Sequence, residues 1–269
     1  MLLTVDHVTR YRYDRPVRGV VQSHRLTPSV FEGQKVRAWE VTVTDGLKGG
    51  GFRDGAGDWV QGWSVLGPVS EIEVRVQGVV ETRDLAGLLR GHRELAPPEC
   101  YLRETGSTRC DAALAALAAA AVGAEDRLAA AHDLAAAIAG AIEYAPGATQ
   151  AQTTAAEALA LGKGVCQDHA HALITVARAA GMPARYVSGY LSASDEGVPH
   201  EAAHAWAEIH IPGLGWIGFD PANTCCPDDR YIRLGSGLDA QDAAPIRGTA
   251  RGSGKESLHV TVAVLATQQ

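Results

Sequence analysis

The feature that most restricts the fold is a change of character along the chain. Residues 1 to about 84 alternate apolar and polar side chains with the period of two that belongs to strands. The alternation is clearest in Glu71-Ile72-Glu73-Val74-Arg75-Val76 and recurs around Leu3-Val5-His7 and Val36–Val43. Gly/Asp clusters at 45–51 and 54–58 mark turns between these runs. From residue 108 the pattern switches to Ala and Leu, the strongest helix formers, which predicts helices over 108–122 and 125–143. Gly123 stops the first, and Tyr144-Ala145-Pro146-Gly147 stops the second. A short helix is expected over 154–161 and another over 166–180, ended by Gly181-Met182-Pro183. Strand-like segments return at 185–191, 205–211, 216–219 and 258–265, while the Gly/Asp/Ser-rich stretch 235–256 reads as irregular surface. Segregated strands and helices imply an α+β fold. The expected division is a β-rich N-terminal sandwich or barrel over residues 1–90, without chemistry of its own, and a core over 91–269 with helices packed on an antiparallel sheet.

Bulk properties exclude some functions. Hydrophobic residues make up 46% and charged residues 20%, an ordinary globular balance, and the net charge of -7 gives nucleic-acid binding no support. The first residues lack a basic segment followed by an apolar run, and no apolar stretch reaches membrane-spanning length. The five cysteines (Cys100, Cys110, Cys166, Cys225, Cys226) are odd in number and irregularly spaced, which argues against a disulfide framework. These features lead to the expectation of a cytoplasmic protein with reduced thiols and no membrane or nucleic-acid partner.

Chemistry concentrates around Cys166. Gly162 and Gly164 frame a loop that delivers this cysteine to the first turn of a helix, where unpaired N–H groups and the positive dipole end favour an anion. Only the thiolate is a strong nucleophile. His204 precedes the alternating run Ala205-Ala207-Ile209-Ile211, and Asp220 closes a strand just before Pro221. A cysteine followed by a His that shuttles its proton and an Asp that orients the His is the order such a nucleophile and base require. The backbone N–H of Cys166 is one candidate oxyanion donor. The second donor stays open between Gln150, Gln152 and a backbone amide.

These motifs carry a resemblance. The segments Gly-Val-Cys-Gln-Asp-His-Ala-His (164–171), Gly-Met-Pro-Ala-Arg-Tyr-Val-Ser-Gly-Tyr (181–190), His-Ala-Trp-Ala-Glu (204–208) and Gly-Trp-Ile-Gly-Phe-Asp-Pro-Ala-Asn (215–223) resemble bacterial transglutaminase-like proteins of the papain-like cysteine protease and transglutaminase superfamily. The likeness runs over roughly 144–248, and His7-x-Thr9-x-Tyr11-x-Tyr13, Arg25-Leu26-x-Pro28 and Gln34 resemble that family's β-rich N-terminal region. The resemblance implies a papain-like core with Cys166 as nucleophile, His204 as base and Asp220 as its partner. It implies thioester formation on an amide or peptide bond, with hydrolysis (protease or amidase) favoured over transfer to an amine, and no cofactor. Position 169, usually aromatic in the family, is His, which implies a packing change. Animal transglutaminases use a Trp upstream of the Cys to help bind the oxyanion, and this chain has none between Trp63 and Cys166.

Rival readings rest on other residues. His200-Glu201-Ala202-Ala203-His204 matches the zinc-protease pattern, but Pro199 precedes it and a strand follows, so both His cannot share a long helical face. His169 and His171 point to opposite sides of a helix and cannot form one ligand set with Cys166. No metal site is therefore expected. A scaffold with a vestigial site is the non-catalytic alternative. Trp206 and Tyr190 are candidate substrate-contacting residues, the substrate being a protein, a peptide or a small amide. Oligomeric state is open.

Overall fold

Two long strands organise the N-terminal half. In the computed structural model, which describes residues 1–192 and 203–266, β1 (Leu2–His24) and β4 (Trp59–Thr82) pair antiparallel from Leu2↔Glu81 to His24↔Gln61. Register shifts between Arg12 and Gly19 divide this pairing, and each part has its own neighbours. β2 (Gln34–Val43) lies along Val74–Thr82, and β3 (Gly46–Arg53) along Trp59–Val65. The inward face carries Leu3, Val5, Tyr11, Val17 and Val20 of β1 against Ile72, Val74, Val76 and Val80 of β4, so the period-two pattern does bury one face.

The helical middle follows its capping signals. α1 (Ala112–Ala118) begins where the Asp111 side chain accepts from Leu114 N, at 2.9 Å. α2 (Arg127–Ala141) begins where Asp126 accepts from Ala129 N, at 2.9 Å. α3 (Ala155–Leu161) has a Thr154/Glu157 capping box and ends at Gly162 in the left-handed region. These caps make α1 and α2 shorter than the Ala-rich runs that predict them. Two-residue strands β5 (Glu143–Tyr144) and β6 (Lys163–Gly164) pair in parallel and tie the end of α2 to the entry of α4 (Cys166–Ala179).

α4 is the centre of the core. Residues 168–178 are all buried, because α1, α2 and α3 pack on it along with the sheet strands β7 and β8. Several of its polar side chains find partners inside the protein. Thr175 Oγ1 donates to the His171 carbonyl at 2.8 Å, and the Arg178 guanidinium donates to the carbonyls of Tyr101, Ala184 and Leu238 and to the Thr108 hydroxyl.

The core sheet has the order β10–β7–β8–β9, all antiparallel, with β7 (Ala184–Leu191), β8 (Ala203–Ile211), β9 (Gly215–Phe219) and β10 (Tyr231–Gly237). β10 was not expected from the sequence. Every residue of it is buried, so it shows no alternation, and its polar Arg233 and Ser236 are neutralised by partners distant in sequence. The chain then returns to the first sheet. β11 (Ile246–Ala250) pairs with Val20–His24 and β12 (Glu256–Ala266) with Leu3–Tyr13. The sheets therefore do not divide at residue 90, as the expected boundary had it. Residues 246–266 belong to the N-terminal sheet, and part of the stretch read as irregular surface is strand.

A buried network joins the two sheets. Arg233 of β10 donates to Asp58 (2.6 Å), Ser29 (2.6 Å) and Glu208 of β8 (2.8 Å), while Gln34 of β2 donates to the Arg233 carbonyl at 2.9 Å. Arg185 of β7 pairs with Glu208 (2.7 Å) and Glu94 and stacks 3.9 Å from the Trp216 ring. Burial opposes the charge on Glu208, but Arg233 and Arg185 outweigh it and hold its carboxyl down to about 2.

Candidate active site

The entry to α4 is built around Asp168. Its Oδ2 accepts from the Val165 N–H (2.8 Å) and the Thr149 hydroxyl (2.6 Å), which fixes the loop before Cys166. Gly164 permits this approach, since a Cβ there would meet Asp168 Oδ2 at 2.8 Å. Cys166 is the first residue of the helix and is half-buried. Its N–H has no acceptor among the described residues, so the donor stays available for an oxyanion. Of the two glutamines weighed as second donors, Gln152 donates its amide to Gln150 Oε1 at 2.6 Å, and Gln167 ties the same loop down through the Ala151 carbonyl at 3.0 Å.

His204 stands near the start of β8, and Asp220 follows the last residue of the neighbouring β9. His204 Nε2 donates to Asp220 Oδ2 at 2.6 Å, and Cys166 lies near enough to the imidazole to act on its charge. The three residues singled out by spacing therefore come together. Their side chains are held firmly, with His204 7% and Asp220 1% exposed. Burial disfavours a charged imidazole. Asp220, through its hydrogen bond and charge, together with the neighbouring Cys166, more than offsets this and raises the His204 pKa to about 10. Asp220 also loses solvation on burial, yet its hydrogen bond and ion pair with His204 hold its carboxyl below the ordinary range.

Two further side chains bind Asp220. The Tyr231 hydroxyl donates to Oδ2 at 2.8 Å and the Asn223 amide at 2.7 Å, while the Ala222 and Asn223 N–H groups donate to Oδ1. Spacing alone did not single out either side chain. Asn223 lies in the turn after Asp220, where Cys225 pairs back with Asp220 and Thr224 takes a left-handed φ of 52°. Tyr231 opens β10, which carries no readable pattern. Asn223 Nδ2 also lies 3.3 Å from His204 Nε2, but with Nε2 donating to Asp220 the turn holds the histidine only through that carboxylate.

The candidate substrate contacts fall elsewhere. Tyr190 is 1% exposed and sits in the joint between the sheets, its hydroxyl 2.7 Å from His7 Nδ1 and its ring beside Trp39. It cannot line a cleft. Trp206 is 3% exposed and packs behind the site, stacked on His204 with ring centroids 6.3 Å apart and edge-on to Tyr231. Its ring lies over Gly189, where a Cβ would come within 2.6 Å of it. Trp206 therefore orients His204 by packing. His169 and His171 are also buried. His169 bridges the carbonyls of Val165 (3.0 Å) and Ile142 (2.9 Å), and His171 Nε2 accepts from Ala240 N at 3.0 Å. Among the described residues no group of three or more His, Cys, Asp or Glu could hold a metal ion. His200 and Glu201 of the zinc-protease pattern lie outside the described residues.

Comparison with known proteins agrees with this architecture. Residues 115–221 match the family model of the transglutaminase-like superfamily, and residues 3–81 that of the bacterial transglutaminase-like N-terminal region. An uncharacterized protein of Mycobacterium leprae is 29% identical over 281 residues, covering 97% of this chain and 98% of that protein. A protein-glutamine gamma-glutamyltransferase of Pseudomonas aeruginosa is 38% identical over 82 residues, 28% of this chain but only 12% of that enzyme. A structure from Cytophaga hutchinsonii, described as a candidate cysteine protease, superposes with a TM-score of 0.73 at 23% identity, over 100% of this chain and 92% of that one. Residues 115–221, which include Cys166, His204 and Asp220, thus form a transglutaminase-like core, and residues 3–81 of the strand-rich N-terminal half a bacterial transglutaminase-like N-terminal region.

Proposed function

We propose that the protein is a cysteine-dependent enzyme that attacks amide or peptide carbonyls through a thioester on Cys166, with water as the usual acceptor. The observation that carries this reading is the 2.6 Å His204–Asp220 contact, with Cys166 beside the imidazole at a helix start. Cys166 Sγ attacks the carbonyl carbon and the C=O electron pair moves onto oxygen. The Cys166 N–H faces that oxyanion. His204 gives its proton to the departing nitrogen, the C–N bond breaks, and the acyl group is left as a thioester. Water, deprotonated by His204, then attacks the thioester and releases the acid and the thiol. Asp220 holds the ring in one orientation and stabilises its charged form. Transfer to an amine uses the same first half, and the local similarity to a glutamyltransferase supports it as the second reading.

The test is the alkylation rate of each cysteine, read by peptide mass spectrometry from pH 5 to 9, with the His204→Ala variant alongside. Burial raises the thiols of Cys225 and Cys226, so they serve as slow internal references. The reading requires Cys166 to be the fastest site below pH 7 and to slow without His204. A Cys166 that reacts like the references regardless of His204 would instead indicate a scaffold with a vestigial site.

A further inference from the structure

A groove of about 770 Å³ runs between α2 and the turn that follows β9. One wall is the α2 face bearing His132, Ala136 and Gly140, and the other is Phe219, Pro221 and Cys226. The groove reaches Asp220, the residue bound to His204. We propose that it seats an apolar group on the amine side of the substrate: the substituent of the leaving amine in hydrolysis and, equally, an apolar primary amine that accepts the acyl group. The proposal rests on the thioester reading above.

Three observations carry it. The first is position. In the proposed mechanism His204 protonates the departing nitrogen, so whatever is attached to that nitrogen lies on the His204–Asp220 side, where the groove is. The second is shape. α2 presents small residues to the groove, and a Cβ on Gly140 would meet nothing within 4 Å, so there is open depth for an alkyl or aryl group. The third is charge. No Lys or Arg lines the groove, whereas Asp133 does, and the Asp220 charge is already matched by His204, so the groove favours an apolar tail carrying an amine over one carrying an acid.

The transfer step balances simply. The amine lone pair attacks the thioester carbonyl, the C–S bond breaks, one amine proton passes to the sulfur through His204, and the products are an N-alkyl amide and the free thiol.

The probes are p-nitrophenyl acetate, which acetylates Cys166 without using the groove, and n-hexylamine or methylamine as acceptor in alkaline buffer. The products read are p-nitrophenolate, acetate and the N-alkylacetamide, with Cys166→Ala as the blank. Hexylamine should divert acetyl groups from water at least about ten-fold more effectively than methylamine, as expected if two or more methylenes are buried. Gly140→Leu, which fills the groove and strengthens the helix, should remove that preference and leave p-nitrophenolate release unchanged. Ala136→Leu should act in the same direction. Equal capture of the two amines, or a preference that survives Gly140→Leu, overturns the groove assignment while the thioester reading stands. No p-nitrophenolate release above the Cys166→Ala blank overturns the thioester reading and the groove assignment with it.

Discussion

One face of β8 carries two buried polar clusters of opposite purpose. His204, Trp206 and Glu208 alternate along the strand. His204 belongs to the site around Cys166 and Asp220, Glu208 to the network of Arg185, Arg233 and Asp58, and Trp206 stacks beside His204 between them. The Glu208 cluster is sealed, with Arg185 0%, Arg233 2%, Glu208 3% and Asp58 0% exposed, and each charge meets an opposite charge. The His204 cluster is closed at its Asp220 end, where donors saturate the carboxylate, and half-open at Cys166. A sealed cluster of paired charges fixes the joint between sheets. A cluster matched at one end and open at the other leaves its Cys166 end accessible.

Mutation should separate the two. His204→Ala should lower the Cys166 alkylation rate below pH 7 by about 10² or more, the range expected for losing a general base, and cost less stability than the loss of Glu208. Glu208→Gln should do the reverse. Leaving Arg185 and Arg233 buried with weakened pairing should cost about 3–5 kcal/mol in urea unfolding. Any Glu208→Gln protein that remains folded should alkylate Cys166 at the unmodified rate, and a slowed rate would mean the clusters are coupled through Trp206.

pH should sharpen the contrast, because the clusters titrate at opposite ends. Glu208 is held at about 2, below its ordinary 4.5, so its stabilisation is complete above pH 4.5 and is lost as pH falls towards 2. His204 is raised to about 10, above its ordinary 6.5, so its contribution is complete below pH 6.5 and is lost as pH rises towards 10. Thermal melts of the Glu208→Gln and His204→Ala variants against the parent should therefore diverge from it most above pH 4.5 and below pH 6.5, respectively. The smallest effect should come from Tyr231→Phe, which removes one of several donors to Asp220 and should destabilise by about 1 kcal/mol. A much larger drop in Cys166 alkylation would show that this hydroxyl tunes the pair as well as holding it.

Local signals made much of this legible. Asp111, Asp126 and Thr154 cap helices near where the Ala-rich runs predict them, and Cys166, His204 and Asp220 sit at element ends that periodicity exposes. What escaped was set by non-local contacts. β10 is buried throughout and has no period to read. Arg233 reads as an ordinary surface charge until Asp58 and Glu208 arrive from 175 and 25 residues away. Tyr190 looked available to a substrate because an aromatic on a strand shows no sign of which sheet will cover it. Tyr231 and Asn223 reach Asp220 through a turn whose shape depends on a left-handed Thr224.

The return of β11 and β12 to β1 also sets an order of events. Leu3 lies opposite Ala266, so β1 gains the neighbours along one edge only after the strands and helices between them in sequence have been made. While a ribosome is still extending the chain towards residue 246, the helices and strands that hold Cys166, His204 and Asp220 already have their sequence partners, but one whole edge of β1 waits with open N–H and C=O groups. Closure across such a separation is slow, and an open edge invites pairing with another chain. β11 and β12 thus act as a latch on nascent protein, and resistance to aggregation is tied to completion of this sheet rather than to formation of the site.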